Sequence, residues 1–257
     1  MAGAVRAQYA GGMAAPPALS GDETWFRFRP GWSWMEHVAK SAFGQDHAAL
    51  GRMLRPLLAA DATVIDVGAH GGQVTRLLAD LVPDGRMVAV EPSGYARTVL
   101  RTALLLRPRR NVTVVATALG AAAGTALLST PLKGAGAMGY GIASLASDAA
   151  RAAVREVVPV MPLDALVAAM ALPRIALIKI DVEGHEAAVL AGAVGTLRRD
   201  SPILYLEVVR DSLTRAGSSP EALWSLLAGF GYVGSAVPAA RPAMADGDWL
   251  FRPAATA

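Results

Sequence analysis

The sequence predicts an α/β fold, a doubly wound and mostly parallel sheet with helices on both faces. Two observations predict it. Apolar, β-branched runs alternate along the chain with segments whose leucines and valines recur at helical spacing. The run Thr63-Val-Ile-Asp-Val67 also passes through the turn Gly68-Ala-His-Gly-Gly72 straight into such a helix. A buried strand feeding a helix through glycines is how folds of this class build nucleotide sites, because the ligand then meets backbone amides at close range.

Residues 1–44 read as an N-terminal extension. Its first twenty residues are small and proline-bearing, and are expected to be partly disordered. The stretch 25–34 is dense in aromatics, with Trp25, Trp32 and Trp34 among them. It serves either to cap one edge of the core or to wall an acceptor pocket. From 45 to 257 the pattern is that of one domain with no internal repeat.

In that domain 46–59 reads as a helix with Leu50, Met53, Leu54, Leu57 and Leu58 inward. Strand 62–67 and helix 73–82 follow, then the turn Pro83-Asp-Gly85. Strand 86–91 ends on Glu91 and is stopped by Pro92, and a helix covers 94–107. Strand 112–116 runs into Thr117-Ala-Leu-Gly120. A further strand at 125–129 precedes the glycine-rich loop 133–141, which fits a mobile lid or a plain surface connection equally well. The short run 157–161 contains Pro159 and reads as an edge strand. Asp164 opens a helix, 175–181 is the most strand-like run of the chain, and 186–199 is its crossover helix. Strand 202–209, helix 219–229 and strands 232–237 and 248–251 complete the domain.

Composition narrows the function classes. The absence of cysteine excludes disulfides and thiolate metal sites. No uncharged run is long enough to span a membrane, and the N-terminus lacks the apolar core of a signal peptide, so a cytoplasmic protein is expected. The net charge of +3 comes with one basic cluster, Arg107 to Arg110, which suits a helix terminus; no basic stripe interleaved with aromatics points to nucleic acid.

The glycine turn departs from a dinucleotide fingerprint, because His70 stands where the second glycine of that pattern belongs. The turn also holds Asp66, which would repel a pyrophosphate but suits a cation. S-adenosylmethionine carries a sulfonium and an ammonium and no phosphate. Glu91, at the end of the second strand, suits ribose hydroxyls in either kind of site.

In the run Lys179-Ile-Asp-Val-Glu-Gly-His-Glu186, Asp181 ends a central strand and should face the same crevice as Asp66 and Glu91. Either these acids, with Glu183, cap the following helix, or they carry chemistry. Glu207, inside the next strand, faces the same end of the sheet if that strand is parallel.

Taken together, Val64-Ile-Asp-Val-Gly-Ala-His-Gly-Gly72, Glu91-Pro92, Leu163-Asp164, Ile178 to Glu186 and Val189-Leu-Ala-Gly-Ala193 resemble the FkbM family of methyltransferases over residues 45–235. The resemblance implies a seven-stranded, Rossmann-like fold of the class I methyltransferase type. It implies S-adenosylmethionine as cofactor and methyl transfer to a hydroxyl oxygen of a small metabolite such as a sugar or polyketide, in secondary metabolism. It places Asp66, Gly68, Ala69, His70, Gly72, Glu91, Pro92 and Ala118 around the cofactor, with Asp181 near the methyl group. His70 stands where the family commonly has asparagine.

An aliphatic hydroxyl is a poor nucleophile, so a base is expected. His185 titrates near neutrality and is the first candidate against a plain capping role; Asp181 is the alternative, and Glu207 would orient the acceptor. Asp181, Glu183 and Glu207 are also of the type that ligates a divalent cation, but spacing alone assigns no metal. Two other classes stay open: a protein that binds S-adenosylmethionine or S-adenosylhomocysteine without catalysis, and a nicotinamide oxidoreductase, which His70 and Asp66 disfavour. The sequence does not name the oligomeric state.

Overall fold

The computed structural model describes residues 24–25, 27–44, 47–131, 153–239 and 241–254. The first twenty-three residues and the glycine-rich loop 133–141 lie outside them.

Helices α1 (Trp32–Phe43) and α2 (Ala48–Leu54) precede the sheet and follow a two-residue strand, β1 (Thr24–Trp25). Then come β2 (Thr63–Val67), α3 (Gln73–Leu81), β3 (Arg86–Val90), α4 (Gly94–Leu106), β4 (Val112–Val115), β5 (Ala118–Leu119), β6 (Gly124–Pro131) and β7 (Ala153–Met161). The second half holds α5 (Leu163–Ala169), β8 (Ile175–Ile180), α6 (Glu186–Ala191), α7 (Val194–Asp200) and β9 (Ile203–Val208). It closes with α8 (Arg210–Arg215), α9 (Pro220–Gly229), β10 (Tyr232–Val237) and β11 (Gly247–Pro253).

The main sheet has seven strands in the order β10-β11-β9-β8-β2-β3-β4. Every neighbouring pair from β9 to β4 is parallel, and β11 inserts antiparallel between β9 and β10. The expected doubly wound, mostly parallel sheet is therefore present. All five residues of β2 are buried, as a strand with helices on both faces requires. Its alternate side chains feed two cores. Ile65 and Val67 join Ile178, Ile180, Leu204 and the helices of the second half, whereas Val64 joins Leu177, Met87, Leu54 and Leu78.

The chain winds from β2 outward through β3 to β4, then returns to place β8 on the other side of β2. Adjacent connections that leave in opposite directions open a crevice at the carboxyl ends of those strands.

Three expectations need correction. The crossover helix predicted over 186–199 is two helices, broken at Gly192-Ala193. The Asp164 carboxylate takes the amides of Gly195 and Thr196, each at 2.7 Å, and the Asp164 amide donates to the Gly192 carbonyl at 2.9 Å. Asp164 was expected to serve its own helix; it caps α7 instead, and a new start there ends α6.

The expected edge strand at 157–161 is part of β7, the centre of a second, four-stranded sheet. It pairs with β6 along its length and with β1 and β5 at its two ends. Pro159 is tolerated because it falls between the positions paired with β1 and those paired with β5.

The aromatic stretch does not act as one cap. Trp32 is 73% exposed and Phe28 43%, while Trp34 turns inward and donates to Thr98 Oγ1 at 3.0 Å. The stretch runs into α1, whose inward face packs Val38 against Tyr95 and Val99 of α4.

Candidate functional site

A cavity of about 260 Å³ opens at the carboxyl ends of β2, β3 and β8, where the winding predicts a crevice. Gly68 to Val74 form one wall, Val90 to Ala96 a second and Asp181 to His185 a third; Thr117, Ala118, Leu128 and Thr130 of the second-sheet region close it.

The turn after β2 is held by its backbone. The Gly68 and Ala69 amides both donate to the Val90 carbonyl, at 3.0 and 3.1 Å. Gly68 and Gly72 have φ of 75° and 86°, the left-handed region that favours glycine. A Cβ at Gly68 would lie 1.8 Å from the Asp181 carbonyl oxygen, and one at Gly72 would lie 2.1 Å from Leu100 Cδ1. Both glycines thus let neighbouring chain pack against the turn, in addition to lining the cavity.

His70 also has a positive φ, 52°. Histidine, like asparagine, is among the non-glycine residues that tolerate this region. The His70 amide donates to Glu91 Oε2 at 2.8 Å, and burial together with the Lys179 charge lowers its imidazole to about 4. Its side chain is therefore a neutral imidazole at pH 7.

Glu91 is buried, with Oε1 accepting from the Ser93 amide at 2.7 Å and Oε2 from His70. Burial raises its carboxyl to about 7, against the pull of those two amides. Pro92, Ser93 and Tyr95 continue this wall. Glu156 of β7 accepts from the Gly94 amide at 2.8 Å and so caps α4 from the second sheet.

Asp66 does not line the cavity. It is fully buried, and its carboxylate accepts from Thr75 Oγ1 at 2.6 Å and lies 3.1 Å from Lys179 Nζ. Lys179 also donates to the Gly68 carbonyl at 2.9 Å and reaches Asp181 Oδ2 at 3.3 Å. The charge expected of Asp66 toward a ligand is taken up inside the protein, and Asp181 is the carboxylate of this ion-paired group that lines the cavity. Burial disfavours the Asp181 carboxylate, but Lys179 and a hydrogen bond from Glu207 outweigh it and hold the group below its usual range.

Glu207 stands behind Asp181 rather than in the cavity wall. Burial and the Asp181 charge raise it to about 8, so it carries a proton at pH 7 and donates it to Asp181. His185 lines the cavity; burial lowers its pKa, and its Nδ1 is buried without a hydrogen-bond partner. It makes no capping bond to α6. Glu186, the first residue of α6, instead ties down the turn before the helix, its Oε1 accepting from the Val182 and Gly184 amides at 3.2 and 3.1 Å. Among the described residues no group of three or more His, Asp or Glu is placed to hold a metal ion.

The model of the methyltransferase FkbM domain matches residues 66–233. The chain belongs to the FkbM methyltransferase family. Among solved structures, the FkbM methyltransferase from Methylobacillus flagellatus KT is similar with a TM-score of 0.52 and 17% identity, over 76% of this chain and 45% of that one. This chain thus spans less than half of that relative's length. Cofactor-bound Rv0187 from MTB gives a TM-score of 0.50 and 16% identity, over 86% of this chain and 87% of that one. At these identities the likeness is one of fold. No curated protein matches the sequence.

In this FkbM-family chain the matched segment leaves out α1 and α2 before it and β11 after it. Sequence reasoning gave no role to Lys179. The signal was there: a lysine within an apolar strand, two residues before Asp181 and so on the same face, demands a buried partner. Tyr95 and Glu156 were missed for another reason, since their placement depends on how α1 and the second sheet dock.

Proposed function

We propose that this protein is an S-adenosylmethionine-dependent methyltransferase that methylates a hydroxyl oxygen of a small-molecule acceptor such as a sugar or polyketide. The observation that carries the reading is the Glu91 carboxylate. Each of its oxygens accepts from one backbone amide and has a second lone pair to offer, and the residue lines the cavity, which suits the two adjacent hydroxyls of a ribose. The rest of the donor set fits the same cofactor. The glycine turn presents backbone at close range, and ionised Asp181 favours a positive ligand over a pyrophosphate. Residues 45–257 would form the methyltransferase unit and residues 1–44 an extension to it.

When bound, S-adenosylmethionine supplies a methyl group on a sulfonium, transferred in line to the acceptor oxygen and leaving S-adenosylhomocysteine. The protein's part is alignment, exclusion of water and removal of one proton. Holding reactants in a near-attack pose is worth roughly 7–11 kcal/mol. His185, neutral at pH 7, is assigned the hydroxyl proton, since Asp181 is held ionised by Lys179 and is a weak base. Asp181 then orients the acceptor and balances charge at the reacting centre, with Glu207 fixing its carboxylate.

Thermal-shift measurements with S-adenosylmethionine, S-adenosylhomocysteine and NAD test the cofactor. Stabilisation by the first two alone is expected, and stabilisation by NAD alone would overturn the assignment. Incubation with isotopically labelled S-adenosylmethionine and an extract of small hydroxylated metabolites, read by mass spectrometry, then separates an enzyme from a binder. Label on a hydroxyl oxygen is expected; binding without label on any metabolite sinks the catalytic reading.

A further inference from the structure

Helix α1 precedes the family-matched segment, yet it reaches the cavity wall. Its residues are pinned to two helices whose first turns border the cavity. On α4, the Tyr95 hydroxyl lies 2.7 Å from His37 Nδ1, and Trp34 donates to Thr98. On α3, Arg76 donates to the Ser41 carbonyl and Gln73 to the Lys40 carbonyl. Tyr95 and Gln73 themselves line the cavity. Tyr95 is 8% exposed, and its ring meets His37 edge-on with centroids 5.8 Å apart.

A phenol at a cavity wall has two degrees of side-chain freedom, and its hydroxyl decides which rotamer is held. Here that hydroxyl is held by His37 of α1, so Tyr95 is fixed by α1 rather than by α4 alone. Tyr95 stands four residues after Glu91, on the same wall.

We propose that α1 completes the cofactor site: Tyr95 is a wall of the adenosyl end, and His37 is a positioning residue that acts through the Tyr95 hydroxyl. The proposal rests on the S-adenosylmethionine reading. In it the extension is part of the binding apparatus, and the family-matched segment alone has an incomplete wall. Gln73, held by the Lys40 carbonyl of α1, directly follows the glycine turn, so α1 is tied to both the Tyr95 wall and the end of that turn.

The test measures S-adenosylhomocysteine binding by calorimetry, and melting temperature, in the full chain and in His37→Leu, His37→Asn, Tyr95→Phe and Tyr95→Ala. Asparagine places a polar atom near the position of Nδ1 and should restore the clasp. One lost hydrogen bond is expected to weaken binding about 3- to 10-fold in His37→Leu and Tyr95→Phe, with His37→Asn close to the parent. Tyr95→Ala should weaken it further, and His37→Leu should add little on top of Tyr95→Phe, since both remove one contact. Unchanged affinity in all four variants overturns the proposal while leaving the cofactor reading intact. So does an effect of His37→Leu that follows melting temperature and is not rescued by asparagine. A parent protein that binds neither S-adenosylhomocysteine nor S-adenosylmethionine overturns the cofactor reading and this proposal together.

Discussion

Lys179 Nζ lies 3.1 Å from Oδ1 of Asp66, and neither side chain is more than 7% exposed. The two face each other across adjacent parallel strands, Asp66 being registered with Lys179 between β2 and β8. The pair explains how two charges sit at the centre of an apolar sheet, and it sets the first prediction. Lys179→Met should destabilise the protein by about 3–5 kcal/mol in urea denaturation, because it leaves Asp66 buried and unpaired. Adding Asp66→Asn should recover a large part of that loss. A single variant within about 1 kcal/mol of the parent would mean the pair does not carry this burden.

Glu91 gives a pH dependence. Its carboxyl sits near 7 in the free protein because of burial, and ligand hydroxyls donate better to the ionised form. Binding therefore favours loss of the proton, so affinity should weaken as pH falls. The expected loss is about tenfold for S-adenosylhomocysteine between pH 8 and pH 6. Glu91→Gln, which cannot ionise, should bind more weakly at pH 8 and show a flat profile over that range. Calorimetry across the pH series reads both.

His70 is constrained by backbone before chemistry. Its φ of 52° suits asparagine as well, so His70→Asn should melt within a few degrees of the parent and keep its affinity for S-adenosylhomocysteine. His70→Val should lose about 1–2 kcal/mol, since a β-branched residue resists the left-handed region.

Gly72 combines the same constraint with close packing. Gly72→Ala meets both the φ of 86° and the Leu100 methyl, and should cost about 1–3 kcal/mol. Pairing it with Leu100→Ala relieves the contact but not the backbone strain, so the double variant should stay below Leu100→Ala alone in thermal melts.

Catalysis should separate from binding at His185. His185→Gln is expected to lower kcat about 10²- to 10⁴-fold while leaving the affinity for S-adenosylhomocysteine within about threefold. A kcat that stays at the parent value would move the base to another group, with Asp181→Asn the next variant to measure.

Much of this architecture is legible in the sequence because its cause is local. The strands at Thr63–Val67 and Ile175–Ile180 are apolar runs bounded by turns, and Glu91 and Asp181 end their strands where charge is otherwise out of place. What was not legible depends on distant docking. Nothing near 186–199 announces that Asp164 will reach across and restart the helix. Nor does the 157–161 run reveal that β1, β5 and β6 will all gather on β7. Asp66 shows the same divide within the site. Its position beside the glycine turn could be read from sequence, but its partner lies in another strand. That partner turned an expected ligand contact into an internal ion pair.

The register that joins β2 to β8 also bears on how the chain reaches its native state. Lys179 bonds to a carbonyl 111 residues earlier, at Gly68, after the chain has laid down β3, β4 and the whole of the small sheet. Closing so long a loop carries an entropic cost that no local contact returns, and topologies of this kind fold slowly. The strand pair at the floor of the cavity can form only once β8 has been made. A nascent chain that has emerged only as far as β7 has its glycine turn and Glu91, but no strand on the other side of β2 and so no third wall.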